Sequence, residues 1–199
     1  LLIFLSWLTL VFISGISLLV FFSFFVISLT SLLYMVFFIT KFGYIKNRIL
    51  SFFNPSSGSH NFQSEKAIDA ITSGGFFGKG IGEGTLKNKV PESHTDYIIS
   101  VISEEFGVVV IILLLFIFLL FIYRVFKKIY SEENEKIKLV LAGTITLVVS
   151  QALIHIGVNI RLFPTTGMTL PFLSYGGSSI IGVSILSGII LNLTKRKII

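Results

Sequence analysis

Apolar residues fill the start of the chain, where no charged side chain occurs before Lys41. Forty helical residues would extend ~60 Å, about twice the thickness of the hydrocarbon core of a bilayer. The pattern therefore predicts two membrane spans, at about residues 1–14 and 18–39, with Gly15 and Ser17 in a tight turn between them.

Three further apolar runs follow a long polar segment, residues 41–103. They predict spans at about 106–123, 139–157 and 178–193. The composition agrees with this pattern, because 53% of the residues are hydrophobic and the mean hydropathy is +0.91. The sequence thus predicts an all-α integral membrane protein, a polytopic helical bundle with about five transmembrane helices.

Basic residues give the predicted spans an orientation. The short connection 124–138 carries five lysine and arginine side chains, and three more stand at 195–197. Clusters of this kind mark the cytoplasmic side, so 124–138 and the tail 194–199 are predicted to be cytoplasmic. The segments 41–103 and 159–177 then face outward together.

This orientation divides the chain into three parts. Residues 1–40 hold two spans, 41–103 form a large periplasmic loop, and 104–199 hold three spans. The formal charge of +6 suits contact with membrane lipids or phosphate. Nucleic acid is excluded as a partner because the positive charges are spread over membrane loops.

A carboxylate in the first outward segment is the leading candidate for chemistry. Asp96 ends a polar stretch directly ahead of an apolar run. If a helix starts at Pro91, then Asp96, Ser100 and Ser103 share one helix face. Asp96 is either a general base or a charge favoured by the helix dipole. His94 either tunes Asp96 or is an ordinary surface histidine.

Eleven residues rich in glycine, 74–84, form a second candidate feature. They are either a phosphate cradle or a close-packed turn with positive φ angles, which only glycine adopts cheaply. Lys79 is followed by glycine and not by serine or threonine, so this is no Walker loop. Glu104 and Glu105, at the mouth of the third span, are functional acids, a solvated helix start or partners of loop lysines.

Polar side chains also mark the fourth span and the second outward segment. Gln151, His155 and Asn159 form one stripe, which predicts interhelical hydrogen bonds or substrate contact. The segment 164–179 is rich in glycine, proline and hydroxyl groups, which predicts a broken helix or re-entrant loop. We expect the two outward segments to enclose one cavity. The three histidines are too far apart in sequence to predict a metal site.

Several of these pieces together resemble the SEDS family (shape, elongation, division and sporulation proteins). The resemblance covers about residues 44–193. The matching residues are Gln63, 73–75, 78–80, Pro91, 94–96, 104–107, Gln151 and 164–179. Members are integral membrane glycosyltransferases that polymerise peptidoglycan from lipid II. The residues 166–172 and 82–85 look more like the division branch than the elongation branch.

The family has ten spans, so the resemblance implies that the five spans here are its last five. The chain begins with Leu1 and not Met, and we expect five further spans upstream. The sequence departs from the family pattern at Tyr97, where Phe is usual, and at His155, where Asn is common.

The resemblance assigns the family's catalytic aspartate to Asp96. It also implies a set of substrate-binding residues: Gln63, Lys79, Lys87, His94, Glu105, Gln151 and Ser174. Asp96 would deprotonate the 4-hydroxyl of the acceptor lipid II, with inversion at the donor carbon and undecaprenyl pyrophosphate leaving. Lys87, Lys79 or a divalent cation, Mg²⁺ or Mn²⁺, would offset the charge of the pyrophosphate.

The implied setting is the division septum, in the bacterial cytoplasmic membrane. The expected partners are lipid II, the growing glycan strand, a class B penicillin-binding protein with transpeptidase activity, and the FtsQ–FtsL–FtsB complex. The alternatives are a flippase for lipid-linked precursors and a non-catalytic scaffold of the division machinery. The placement of Asp96 on the outer face, away from the bilayer centre, favours the enzyme over the flippase.

Overall fold

The computed structural model describes residues 1–53, 59–85 and 92–195. These residues fold into seven α-helices, joined by turns and irregular segments, and they contain no β-strand. The helices are α1 (Leu2–Ile13), α2 (Leu18–Phe38), α3 (Gly43–Phe53), α4 (Ser59–Gly74), α5 (Ile98–Ser131), α6 (Glu135–Asn159) and α7 (Gly177–Thr194). The prediction of an all-α membrane protein is confirmed.

Four helices of the described chain are long and apolar enough to cross a bilayer: α2, α5, α6 and α7. The sequence pattern predicted about five. The difference lies in α1, which is apolar but has 12 residues and extends only ~18 Å. It ends at Ile13, and the chain then turns through Gly15, whose φ is 78°.

The polar segment 41–103, predicted as a large loop between spans, contains two helices, α3 and α4. Along α4, Ala67, Ala70 and Gly74 are buried on one face, at helical spacing. Small side chains let α4 approach α5 closely, and a hydropathy pattern does not reveal such a face. The tail beyond residue 195 lies outside the described residues.

The core is centred on α6. In its most apolar window 44% of the residues are buried, against 6% in that of α5, which leaves most of α5 facing outward. The largest buried cluster joins α5, α6 and α7. Its members are Val125, Ile129, Leu141, Ala142, Ile145 and Ile190. The fold is therefore a bundle in which α6 is surrounded and the other spans present apolar side chains to lipid.

A break divides α5 at Gly107, where φ is 80° and ψ is 178°. In an unbroken helix the amides of Val108 and Val109 would donate to the carbonyls of Glu104 and Glu105, four residues earlier. The break separates these donors from these acceptors. It therefore leaves four backbone polar groups in need of partners at the edge of an apolar span.

Residues 74–84, here called the glycine loop, supply all four partners. The released amides donate to this loop: Val108 N to Gly75 O at 3.0 Å and Val109 N to Phe76 O at 3.4 Å. The released carbonyls accept from it. Lys79 N donates to Glu104 O at 2.9 Å, and Gly80 N donates to Glu105 O at 3.0 Å. These four backbone hydrogen bonds between the glycine loop and α5, here called the splice, connect the two parts of α5 through the loop.

Glycine is required at the positions where backbones cross in this splice. A Cβ on Gly74 would collide with the carbonyl oxygen of Ser103, and one on Gly78 with that of Glu105. Gly78 also has a φ of 76°. The prediction of a close-packed turn is confirmed. The amides of Lys79 and Gly80, which a phosphate cradle would use, already donate to α5.

Replacing Gly78 by alanine is expected to destabilise the protein more than the same change at Gly75. Both glycines have left-handed φ angles, 76° and 58°, but a Cβ on Gly75 would meet nothing within 4 Å. Gly75→Ala should cost about 1 kcal/mol through its φ angle alone. Gly78→Ala should cost a further 1–3 kcal/mol, roughly, through overpacking against the backbone.

Thermal unfolding of the two purified variants in detergent measures this difference. Equal unfolding temperatures would show that the splice does not constrain the loop.

Candidate active site

Asp96 lies in a turn, residues 92–97, immediately before α5. The amides of Thr95 and Asp96 both donate to the carbonyl of Glu92, each at 3.1 Å. Glu92 has a φ of 55°, a left-handed conformation that is uncommon for a residue other than glycine. The turn places the Asp96 carboxylate two residues ahead of the first helical residue, Ile98.

Pro91 lies outside the described residues, but the helix face predicted from a start at Pro91 is wrong. Asp96 does not share a helix face with Ser100 and Ser103, because α5 begins only at Ile98. Both serines are buried and serve structure. Ser100 Oγ donates to the carbonyl of Tyr97 at 2.6 Å, and Ser103 Oγ donates to that of Ile71 at 3.3 Å.

Three consecutive carbonyls, those of residues 94–96, accept hydrogen bonds from another part of the chain. Tyr175 N donates to the first at 3.0 Å, Ser174 Oγ to the second at 2.7 Å, and Asn159 Nδ2 to the third at 3.0 Å. We call this set the carbonyl clamp. It joins the two outward segments, and it fixes the backbone that carries the Asp96 carboxylate.

A cation lies near the carboxylate. Arg48, on α3, interacts electrostatically with Asp96, and its Nη1 donates to the carbonyl of Thr165 at 3.2 Å. Gly167 also lies close to the carboxylate, since a Cβ added there would be 3.7 Å from Asp96 Oδ2. Sequence reasoning missed Arg48, which is 117 residues from Thr165 and belongs to no motif.

Burial raises the pKa of the Asp96 carboxyl above its ordinary value of 3.8. The nearby Glu92 carboxylate raises this pKa further, because two like charges disfavour the ionised form. The Arg48 guanidinium and a hydrogen bond from the Thr95 side chain lower the pKa, but they do not cancel the rise. A raised pKa makes Asp96 a stronger base than an exposed aspartate.

The polar stripe on α6 holds the second outward segment in place. Gln151 Nε2 donates to Thr169 O at 2.9 Å, and it also contacts the hydroxyls of Thr169 and Ser179, each at 3.1 Å. His155 Nδ1 lies 2.7 Å from the carbonyl of Met168. The hydrogen-bonding interpretation of the stripe is confirmed. Contact of Gln151 with substrate stays a prediction.

The second outward segment, residues 159–177, is irregular between the end of α6 at Asn159 and the start of α7 at Gly177, as its composition predicted. It contains Gly167 and Phe172 at positive φ, 70° and 67°. Ser174 is buried within it, where its Oγ accepts from Leu170 N at 2.8 Å as well as donating to the clamp. The structure therefore gives Ser174 a positioning role. Its predicted contact with substrate is a proposal.

Lys79 and the two glutamates at the break lie on the glycine loop and α5. Lys79 Nζ is 3.4 Å from Glu104 Oε1, and the Glu104 side chain is fully buried. The ion-pair interpretation of Glu104 is confirmed, and the solvated one is wrong. Glu105 Oε1 accepts from Gly82 N at 3.2 Å. Among the described residues, the charged groups that act on Asp96 are Glu92 and Arg48.

The remaining predicted residues are spread around the clamp. His94 is exposed and, with Ile98, Leu173 and Tyr175, lines a groove of about 380 Å³ between the two outward segments. Gln63 is partly buried on α4. Lys87 lies outside the described residues. In the described part of the chain, no three acidic, histidine or cysteine side chains cluster, so a Mg²⁺ or Mn²⁺ ion bound by these residues would also need oxygen ligands from substrate phosphates or water.

Tyr97, which stands where Phe is usual in the family, has a polar contact for its hydroxyl group. Tyr97 is buried, and its hydroxyl oxygen lies 3.4 Å from Ser64 Oγ on α4. A buried phenol usually finds such a partner. The contact ties α4 to the residue that follows Asp96.

Curated relatives from several bacteria match most of this chain. A protein of Enterococcus hirae named as a probable peptidoglycan glycosyltransferase FtsW is 39% identical over 155 residues, which are 76% of this chain and 39% of that protein. One of the same name from Caulobacter vibrioides is 38% identical over 78% of this chain and 40% of its own length. The chain spans less than half the length of these relatives.

A solved structure is also similar. It is a chain from a peptidoglycan synthase complex in which polymerization and crosslinking are structurally coordinated. The TM-score is 0.69 and the sequence identity is 25%, over 97% of this chain and 53% of that one.

The sequence model of the cell cycle proteins FtsW, RodA and SpoVE matches residues 1–198. This match covers the splice at Gly107, the turn of Asp96 and the carbonyl clamp together. The chain therefore belongs to the FtsW/RodA/SpoVE family of multi-pass membrane proteins.

Proposed function

We propose that the whole protein containing this chain is a peptidoglycan glycosyltransferase. It would polymerise lipid II into glycan strands for septal wall synthesis during cell division, with Asp96 as general base. The observation that carries the proposal is the Asp96 carboxylate itself. It is partly buried, has a raised pKa, lies outside the membrane helices, and stands on a backbone held by three hydrogen bonds.

The chemistry asks for one base in a fixed position. The acceptor is a sugar hydroxyl, which must lose a proton as it attacks the donor carbon. A lipid pyrophosphate is a good leaving group, so no strong acid is needed on the donor side. The carbonyl clamp limits the positions that the carboxylate can take, and such fixed geometry contributes to catalysis.

Arg48 is the cation that we propose for the departing pyrophosphate. Among the described residues, it is the basic side chain that lowers the pKa of Asp96, whereas Lys79 is paired with buried Glu104. A guanidinium has five N–H donors, so one bond to Thr165 leaves others for phosphate oxygens. Lys87 lies outside the described residues, and its role in offsetting the pyrophosphate charge rests on the family resemblance alone. No step of the proposed mechanism uses a metal ion.

The proposed location is the bacterial cytoplasmic membrane at the septum, with Asp96 on the periplasmic side. The basic connection between α5 and α6 supports this orientation. A class B penicillin-binding protein and the FtsQ–FtsL–FtsB complex are the proposed partners. The similarity to a chain of a peptidoglycan synthase complex supports the first of them. A flippase is less well supported, because the polar stripe on α6 is occupied by hydrogen bonds to the second outward segment.

Asp96→Asn is expected to lower the rate of glycan polymerisation by about 10²–10⁴-fold, because it removes the base. The fold should persist, since the clamp uses the backbone carbonyl of Asp96 and the change removes a partly buried charge. The measurement is strand synthesis from purified lipid II by the whole protein with its transpeptidase partner. Glu92→Gln is the matched control and should keep most activity. A near wild-type rate for Asp96→Asn would show that the base is another group.

The rate of polymerisation should fall in acid at a higher pH than an ordinary aspartate would give. The base acts only when ionised, and the pKa of Asp96 is raised above 3.8. Glu92→Gln removes a like charge and should move the acid limb to lower pH. Arg48→Gln removes a favourable charge and should move it to higher pH. Profiles of rate against pH for the three proteins test these opposite shifts, and coincident limbs would contradict the assignment of the limb to Asp96.

A further inference from the structure

Three large apolar side chains of the glycine loop have no partner in the active site. Phe76, Phe77 and Ile81 are 76%, 86% and 78% exposed. No charged residue stands between Gly74 and Gly78. Three large apolar side chains this exposed within six residues of one loop indicate a contact surface, whereas single exposed apolar residues need no explanation.

The splice fixes the level of this tip along α5. Gly75 and Phe76 accept hydrogen bonds from the amides of Val108 and Val109. The backbone of Phe76 is therefore beside the first helical residues after the break, and Phe77 follows directly. The depth of the tip relative to the membrane is therefore set by α5, because hydrogen bonds join the loop to the start of the apolar run.

The length of α5 places that level at the edge of the apolar part of the bilayer. The uncharged apolar run of α5, residues 106–123, extends ~27 Å, close to the ~30 Å of a hydrocarbon core. Arg124 marks its other end. Because the run is no longer than the hydrocarbon core, its first residue, Phe106, must lie near the boundary on the Asp96 side. Val108 and Val109 then lie just inside that boundary.

The exposed face of α5 continues from the tip. Val109 is 50% exposed and Ile112 is 60% exposed, so the apolar surface runs from the loop down the span. Irregular backbone exposed to lipid is not tolerated inside the hydrocarbon core. The loop backbone therefore stays at the boundary, where four of its polar groups are paired with α5, and only its side chains can reach the acyl chains.

We propose that the glycine loop is a membrane anchor. Phe76 and Phe77 insert among the acyl chains of the leaflet on the Asp96 side, level with Val108 and Val109, and Ile81 enters the boundary of that leaflet. Glu83, which is exposed, remains with the head groups. The anchor sets the height of the Asp96 turn above the lipid, because the turn leads directly into α5.

Site-directed spin labelling of the whole protein tests the anchor. The chain has no cysteine. Single changes Phe76→Cys and Phe77→Cys would carry a nitroxide, with any cysteine elsewhere in the protein replaced by serine. Ile112→Cys is the control for lipid and Glu83→Cys the control for water. The protein is placed in vesicles of phosphatidylethanolamine and phosphatidylglycerol. The collision rates of each label with oxygen and with a water-soluble nickel chelate give its depth.

Labels at 76 and 77 should collide with oxygen in preference to nickel, as at 112, and the preference should reverse at 83. Preferential collision with nickel at 76 and 77 would place the tip in water and overturn the proposal. Low collision rates with both reagents would also overturn it, because the tip would then be covered by protein. The readout needs no catalytic activity, so it stands apart from the role of Asp96.

A label-free variant guards against an effect of the nitroxide. Trp7 and any other tryptophan of the protein are first replaced by phenylalanine. The tryptophan of Phe77→Trp should then be quenched by brominated lipids in the same vesicles and protected from aqueous iodide. Quenching by iodide instead would contradict insertion. Unfolding temperatures close to wild type in all variants would show that the loop keeps its structure.

Discussion

Pairing of backbone groups at the edge of a membrane span is the constraint on which this structure depends. Gly107 interrupts α5 and releases two amides and two carbonyls, and in an apolar setting each unpaired group would cost several kcal/mol. The glycine loop replaces every lost partner. The loop can do so only where glycine allows the backbones to meet, which explains why glycines stand on both sides of the contact.

The candidate active site is shaped by a second set of paired backbone polar groups. The turn before α5 presents three carbonyls in succession, and α6 and the second outward segment provide their donors. Gln151 and His155 hold that segment against α6 in the same way. Gln151 and His155, which the sequence offered as substrate contacts, thus shape the surface beside Asp96 through these hydrogen bonds. The Asp96 carboxylate, by contrast, is fixed by its backbone and keeps its oxygens beside Arg48 and Gly167.

Sequence patterns predicted the spans well because long apolar runs leave few alternatives. The ends of α2 and α7 lie within one residue of those predicted. Local pattern failed for α4, whose buried face consists of small residues, and for the start of α5, where Pro91 suggested a helix that begins only at Ile98. Asp96 could be proposed as a base from its motif alone. Arg48 could not, because tertiary packing brings it to Thr165 across 117 residues.

The two sets of backbone contacts differ in how far apart their members are along the chain. The splice joins residues about thirty apart, so it can form as soon as α4 and the start of α5 have been synthesised. The carbonyl clamp must wait for Asn159, Ser174 and Tyr175, which come near the end. During synthesis, the glycine loop is therefore secured early and the Asp96 turn is oriented late. A chain interrupted before Asn159 would carry this turn without any of the three donors that hold its carbonyls.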